Sequence, residues 1–108
     1  MVKELTLQNY SEEVVKSKLP VIIDFYADWC GPCQMMKPVF EKLSLDFKGK
    51  LKFLKVDTSL EEGLAMKFRV QGIPTLVILK EEKEIGRSVG YMGEEALSTK
   101  IKDILNKA

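Results

Sequence analysis

Six consecutive residues, Val21-Ile22-Ile23-Asp24-Phe25-Tyr26, place the tightest constraint on this chain. All but Asp24 are β-branched or aromatic, so the segment favours an extended strand. A strand with one wet face would alternate apolar and polar side chains. A near-continuous apolar run must instead be covered on both faces. The segment is therefore expected at the centre of a sheet, with helices packed on each side.

The flanking sequence supplies candidates for those partners. Lys3 to Leu7 alternates and is expected as a short edge strand. Asn9 followed by Glu12 has the spacing of a capping box and predicts a helix that ends before Leu19-Pro20. After the central strand, Met36, Val39, Phe40, Leu43 and Phe47 recur at helical spacing, with Pro38 inside the stripe to kink it and Gly49 as its stop. Leu51 to Asp57 predicts a second long strand. Ser59 and Glu62 repeat the capping-box spacing, and Leu60, Leu64 and Phe68 would line one side of a short helix. Thr75 to Leu79 predicts a buried strand, and Glu84 to Val89 its hairpin partner. The turn Lys80-Glu81-Glu82-Lys83 lacks the glycine usual in such turns. Gly93 opens a last helix with Leu97, Ile101, Ile104 and Leu105 inward.

The resulting order, β-α-β-α-β-α-β-β-α, calls for parallel pairing with right-handed crossovers and a closing antiparallel hairpin. The expected fold is α/β, a mixed five-stranded sheet flanked by four helices on both faces, in one domain spanning residues 1–108. A length of 108 residues and a 45% hydrophobic share suffice for such a core without disulfide staples.

The charges nearly cancel, at +1, and no basic tract stands out, so nucleic-acid binding has no electrostatic footprint. The opening MVKELTLQNYSEE has no apolar core of a secretory signal, and no apolar run approaches the roughly 18 residues of a membrane span. A cytoplasmic protein with no membrane partner is the expectation, and a monomer, since no extra apolar face demands a second copy. In that compartment thiols stay reduced and structural disulfides are disfavoured.

The chain has two cysteines, Cys30 and Cys33, directly after the central strand and at the start of a helix. Reactive groups in α/β folds collect at the carboxyl ends of strands. Residues i and i+3 are neighbours on one helical face, so the pair can bridge, and the loop is too short for the bridge to stabilise the fold much. The helix N-terminus favours an anion, which predicts a lowered pKa for Cys30. Cys33, one turn further in, is expected to be more buried. Cys30 would then attack a disulfide and Cys33 resolve the mixed disulfide. Pro32 suits the first helical turn, and Gly31 leaves the approach to Cys30 open. Structural zinc wants four ligands, usually cysteine and histidine. With no histidine in the chain, only a site shared between two chains would supply them. An inert disulfide or a pair of buried thiols are the remaining alternatives.

Asp24-Phe25-Tyr26-Ala27-Asp28-Trp29-Cys30-Gly31-Pro32-Cys33 closely resembles the active-site region of the thioredoxin family, and the resemblance runs along essentially the whole chain. Gly72-Ile73-Pro74-Thr75 resembles that family's cis-proline loop, Val89-Gly90 its third loop around the site, and Pro38 its helix-kinking proline. The resemblance implies a thioredoxin fold and a thiol-disulfide oxidoreductase that reduces protein disulfides. It implies a redox-active Cys30–Cys33 disulfide, no bound cofactor or metal, and re-reduction by a separate thioredoxin reductase. An oxidase or isomerase domain, or a non-redox binding module, are the competing functions.

Asp24, in an apolar strand, loses solvation, so its pKa is expected to rise. By resemblance it assists proton removal from Cys33 through water; the alternative is an outward-facing residue at a sheet edge. Lys55 matches a family lysine near that aspartate, against the alternative of a solvated strand lysine. Trp29 offers a flat contact surface for protein substrates, or else is a core aromatic. Ile73, Pro74 and Gly90 are the other expected substrate contacts. Tyr26 stands where many members carry a second tryptophan, and Tyr91 and Met92 where small residues are frequent.

Overall fold

A computed structural model describes residues 1–108. Five strands form one sheet in the order β1-β3-β2-β4-β5. The strands are β1 (Lys3–Glu4), β2 (Val21–Tyr26), β3 (Lys52–Asp57), β4 (Thr75–Lys80) and β5 (Lys83–Val89). β1, β3 and β2 run parallel, while β4 and β5 are antiparallel to their neighbours. A π-helical turn at Ser11–Val15 and the helices α1 (Gly31–Asp46), α2 (Glu62–Lys67) and α3 (Glu94–Lys107) complete the expected order. No helix is long and apolar enough to cross a membrane.

The central strand is where its composition requires it. β2 lies between β3 and β4, and Val21 to Phe25 are all buried. Its side chains divide by parity between two cores. Ile22 joins Met36, Phe40, Leu43, Phe53, Leu76, Ile78, Leu97 and Ile101 under α1 and α3. Val21, Ile23 and Phe25 join Leu5, Val14, Leu54, Val56, Leu64 and Val77 on the opposite face, under the π-helical turn and α2. Each fully buried side chain of this size contributes roughly 1.5–3 kcal/mol of transfer free energy. Phe40 and Phe53 also pack as tilted rings with centroids 4.9 Å apart.

Local details depart from the expectations. β1 covers only Lys3–Glu4. Neither capping box forms. Asn9 turns its side chain back, accepting from the Thr6 N–H and donating to the Glu4 carbonyl, and so pins the edge strand. Glu12 pairs with Lys16 instead. Around Ser59, the backbone N–H is taken by the Asp57 carboxylate, and α2 starts only at Glu62. Leu60 therefore sits outside the helix, 78% exposed, while Leu64 alone of α2 is fully buried. α1 ends at Asp46, before Gly49, whose φ of 82° lies in the following turn. Pro38 is inside α1, where its ring removes one backbone donor.

The glycine-free hairpin keeps the ordinary tight geometry. Glu81 and Glu82 both adopt positive φ, 51° and 68°, as a two-residue turn between twisted strands requires. Gly86 of β5 has a different reason to be glycine. A Cβ there would lie 2.7 Å from Ile104 Cδ1 and 2.9 Å from its Cγ atoms, so α3 packs directly on the bare backbone. Gly86→Ala is expected to cost about 1–3 kcal/mol in urea unfolding, and Gly86→Ala with Ile104→Val to recover part of that loss.

Candidate active site

β2 delivers the chain to the site and stops. The Cys30 N–H closes a turn onto the Ala27 carbonyl at 3.2 Å. Cys30 itself is extended, with φ −89° and ψ 115°, and serves as the N-cap of α1. Pro32 occupies the first turn, where an amide hydrogen has no helical partner. This arrangement brings the start of α1 against the Cys30 sulfur. The Cys33 N–H donates to Cys30 Sγ at 3.2 Å. A thiolate on Cys30 would receive that hydrogen bond and the positive end of a sixteen-residue helix.

Cys30 and Cys33 are joined as a disulfide, with Cα atoms 5.2 Å apart. Both are nearly enclosed, Cys30 at 6% and Cys33 at 3% exposure, in the order expected from their positions. Nothing lies within 4 Å of where a Cβ on Gly31 would stand, so that side is open.

Asp24 lies in the middle of the sheet, not at an edge. The register sets Glu4, Lys55, Asp24, Leu76 and Ser88 side by side across the five strands. Asp24 shares strand parity with Ile22 and faces the α1 side. It is 5% exposed, and its Oδ1 is buried without a hydrogen-bond partner. Burial pushes its carboxyl up to about 7, partly opposed by the positive charge of Lys55. A small cavity of about 70 Å³ joins Asp24 to Cys33, lined also by Tyr26, Asp28, Gln34, Lys37 and Lys55. It is polar and has room for water to bridge the two groups.

A second loop closes over the disulfide. The Ile73–Pro74 peptide is cis, as the resemblance implied. The Ile73 carbonyl oxygen lies 3.9 Å from Cys30 Sγ, and its side chain packs on Ala27, Cys30 and Cys33. Gly90, at φ 91°, donates its N–H to the Pro74 carbonyl at 2.8 Å, which fixes the third loop against the second. Trp29 is 77% exposed beside the disulfide, so it is not a core aromatic. Val89 and Tyr91, on either side of Gly90, are also exposed. Met92 instead packs against the α1-side core and accepts a hydrogen bond from the Ser88 hydroxyl.

Lys55 is 29% exposed at its side chain, and its ion pair is with Glu4, 3.9 Å away, while it also sits over the Tyr26 ring. Glu4, Asp28, Gln34 and Lys37 escaped the sequence reading. Gln34 and Lys37 follow the cysteines at helical spacing, which was the available signal. Glu4 carried none, because only the β1–β3 register brings it there.

The family model for thioredoxin matches residues 1–103. Thioredoxin of Borreliella burgdorferi is 40% identical over 103 residues, covering 95% of this chain and 88% of its own. Thioredoxin of Rickettsia bellii is 35% identical, over 90% of this chain and 92% of its own. Thioredoxin 1 of Nostoc is 36% identical, over 88% of this chain and 89% of its own. These likenesses extend far beyond the cysteine pair, through the sheet and the cis-proline loop. The chain belongs to the thioredoxin family, and its chemistry is thiol-disulfide exchange.

Proposed function

We propose that this protein acts as a reductant of protein disulfides, with Cys30 as nucleophile, Cys33 as resolving thiol and Asp24 as the proton acceptor for Cys33. The observation that carries the reading is the unpartnered Asp24 carboxylate sharing a polar cavity with Cys33. In the dithiol form, the Cys30 thiolate attacks one sulfur of a substrate disulfide. One Cys30–substrate S–S bond forms, the substrate S–S bond breaks, and the departing sulfur takes up a proton. Cys33 then loses its proton, through water, to Asp24. The Cys33 thiolate attacks Cys30 Sγ, the second substrate thiolate leaves, and the Cys30–Cys33 disulfide closes. Two electrons have moved to the substrate, and a thioredoxin reductase must return them.

An extended substrate segment would lie across Trp29, Ile73, Pro74 and Gly90. The Ile73 N–H donates to no backbone carbonyl, which leaves it for a substrate strand. Residues 1–108 would act as one domain and as a monomer. The cytoplasm, where thiols are kept reduced, is the proposed setting.

Asp24 can accept a proton only as a carboxylate, so resolution should speed up as pH rises through its titration near 7. Insulin-disulfide reduction tests the whole scheme: Cys30→Ser should abolish it, and Cys33→Ser should trap substrates as mixed disulfides. A trap that accumulates no disulfide-linked protein contradicts the assignment. For Asp24→Asn, stopped-flow measurement of the resolving step at pH 7.5 should give a rate lower by about 10²-fold, with the inflection near pH 7 gone.

A further inference from the structure

Asp24 is the middle of a row, and the row has a second carboxylate. Lys55 is the register partner of Asp24 on one side and of Glu4 on the other. Two acids therefore compete for one ammonium. The geometry shows which one holds it. Lys55 Nζ is 3.9 Å from Glu4 Oε1 and 5.7 Å from the centroid of the Tyr26 ring. Asp24 Oδ1, in contrast, has no hydrogen-bond partner.

Glu4 is itself fixed. The Tyr26 hydroxyl lies 3.2 Å from both Glu4 carboxylate oxygens and donates to them. Burial and the Glu4 charge hold the Tyr26 phenol well above its ordinary range, so it remains a donor. The Glu4 backbone is tied from the other side, where the Asn9 side chain donates to its carbonyl at 3.0 Å and Leu5 N–H bonds the Lys55 carbonyl at 2.7 Å. A half-exposed ion pair at 3.9 Å adds little stability. Its consequence is positional.

The other charges around Asp24 do not substitute for Lys55. Asp28 and Lys37 line the same cavity from the loop after β2 and from α1, but both are exposed and screened by solvent. Cys33 is in the disulfide. Asp57, the register partner of Tyr26, carries the wrong sign. On the β4 side the register partner of Asp24 is Leu76, which does not titrate.

We propose that Glu4 is a positioning residue for the thiol-disulfide reaction: with Tyr26 it draws the Lys55 ammonium toward the sheet edge, away from Asp24, and keeps Asp24 weakly compensated. Removing the Glu4 charge leaves Lys55 free to serve Asp24 alone. The carboxylate form of Asp24 then gains stability, and its titration moves down in pH. This deepens the proton-acceptor reading of Asp24 and rests on it for its catalytic consequence, but the positional effect is measurable without catalysis.

The test follows the ¹³C carboxyl resonance of Asp24 through a pH titration of the oxidised protein. Glu4→Gln, at an accessible edge, should lower the midpoint by about one pH unit. In a Lys55→Gln background the same change should move it by less than about a third as much, since the intermediary is gone. An unchanged midpoint in Glu4→Gln overturns the proposal. So does an equal shift with and without Lys55, which would mean that Glu4 acts through space alone. The pH dependence of the resolving step is then measured in Glu4→Gln. An inflection that moves with the resonance extends the proposal to catalysis. A resonance that moves while the rate profile stays fixed would retain the Glu4 hold and reject Asp24 as the proton acceptor.

Discussion

The burial of one carboxylate is the constraint on which the proposed chemistry depends. Asp24 interrupts the most apolar strand of the chain and lies at the centre of the sheet, under α1, with an oxygen that no protein group satisfies. An unpaired buried charge is among the least favourable things a fold can contain. The surrounding structure tolerates it because two well-packed cores, one on each face, hold β2 in place regardless. The same packing fixes Cys33 beside the cavity and Cys30 at the helix N-terminus. Asp24, Cys33 and Cys30 are thus positioned by a strand, a tight turn and the helix it starts.

The two sides of the disulfide differ in their physical character. On one side lie the cis-proline loop, Gly90 and exposed Trp29. On the other, Asp24, Lys55 and Glu4 form a row of charge that runs from the buried centre of the sheet to its exposed edge strand. In the proposed scheme, substrate contact and proton transfer meet at the sulfurs.

Much of this was legible in the sequence. Val21 to Tyr26 had to be a central strand, and the structure assigns it those same bounds. The cysteines were recognisable as a strand-to-helix pair, and Asp24 as a carboxylate under desolvation, because burial pattern and spacing are local signals. What stayed hidden depended on competition or register. Asn9 and Ser59 had capping-box spacing, yet Asn9 caps a neighbouring turn and Ser59's amide is claimed by Asp57. Leu60 looked like a helix-face residue until the helix began two residues later. Glu81 and Glu82 adopt the positive φ angles that glycine usually supplies. Glu4 could not be placed near Lys55, since a two-residue edge strand gives no hint of its pairing.

If Asp24 is held as a buried, weakly compensated acid, its ionisation must oppose folding. Its folded pKa of about 7 lies above the ordinary 3.8, so the native state binds the extra proton between those values. Stability contributed by this group is then complete below about pH 4 and lost as pH rises toward 8. The decisive measurement is urea unfolding of the oxidised parent and of Asp24→Asn across pH 4 to 8. The variant is expected to gain on the parent by roughly 4 kcal/mol over that window, with most of the change below pH 7. A stability difference that stays flat with pH would contradict it, because Asp24 would then ionise as easily in the folded protein as in water.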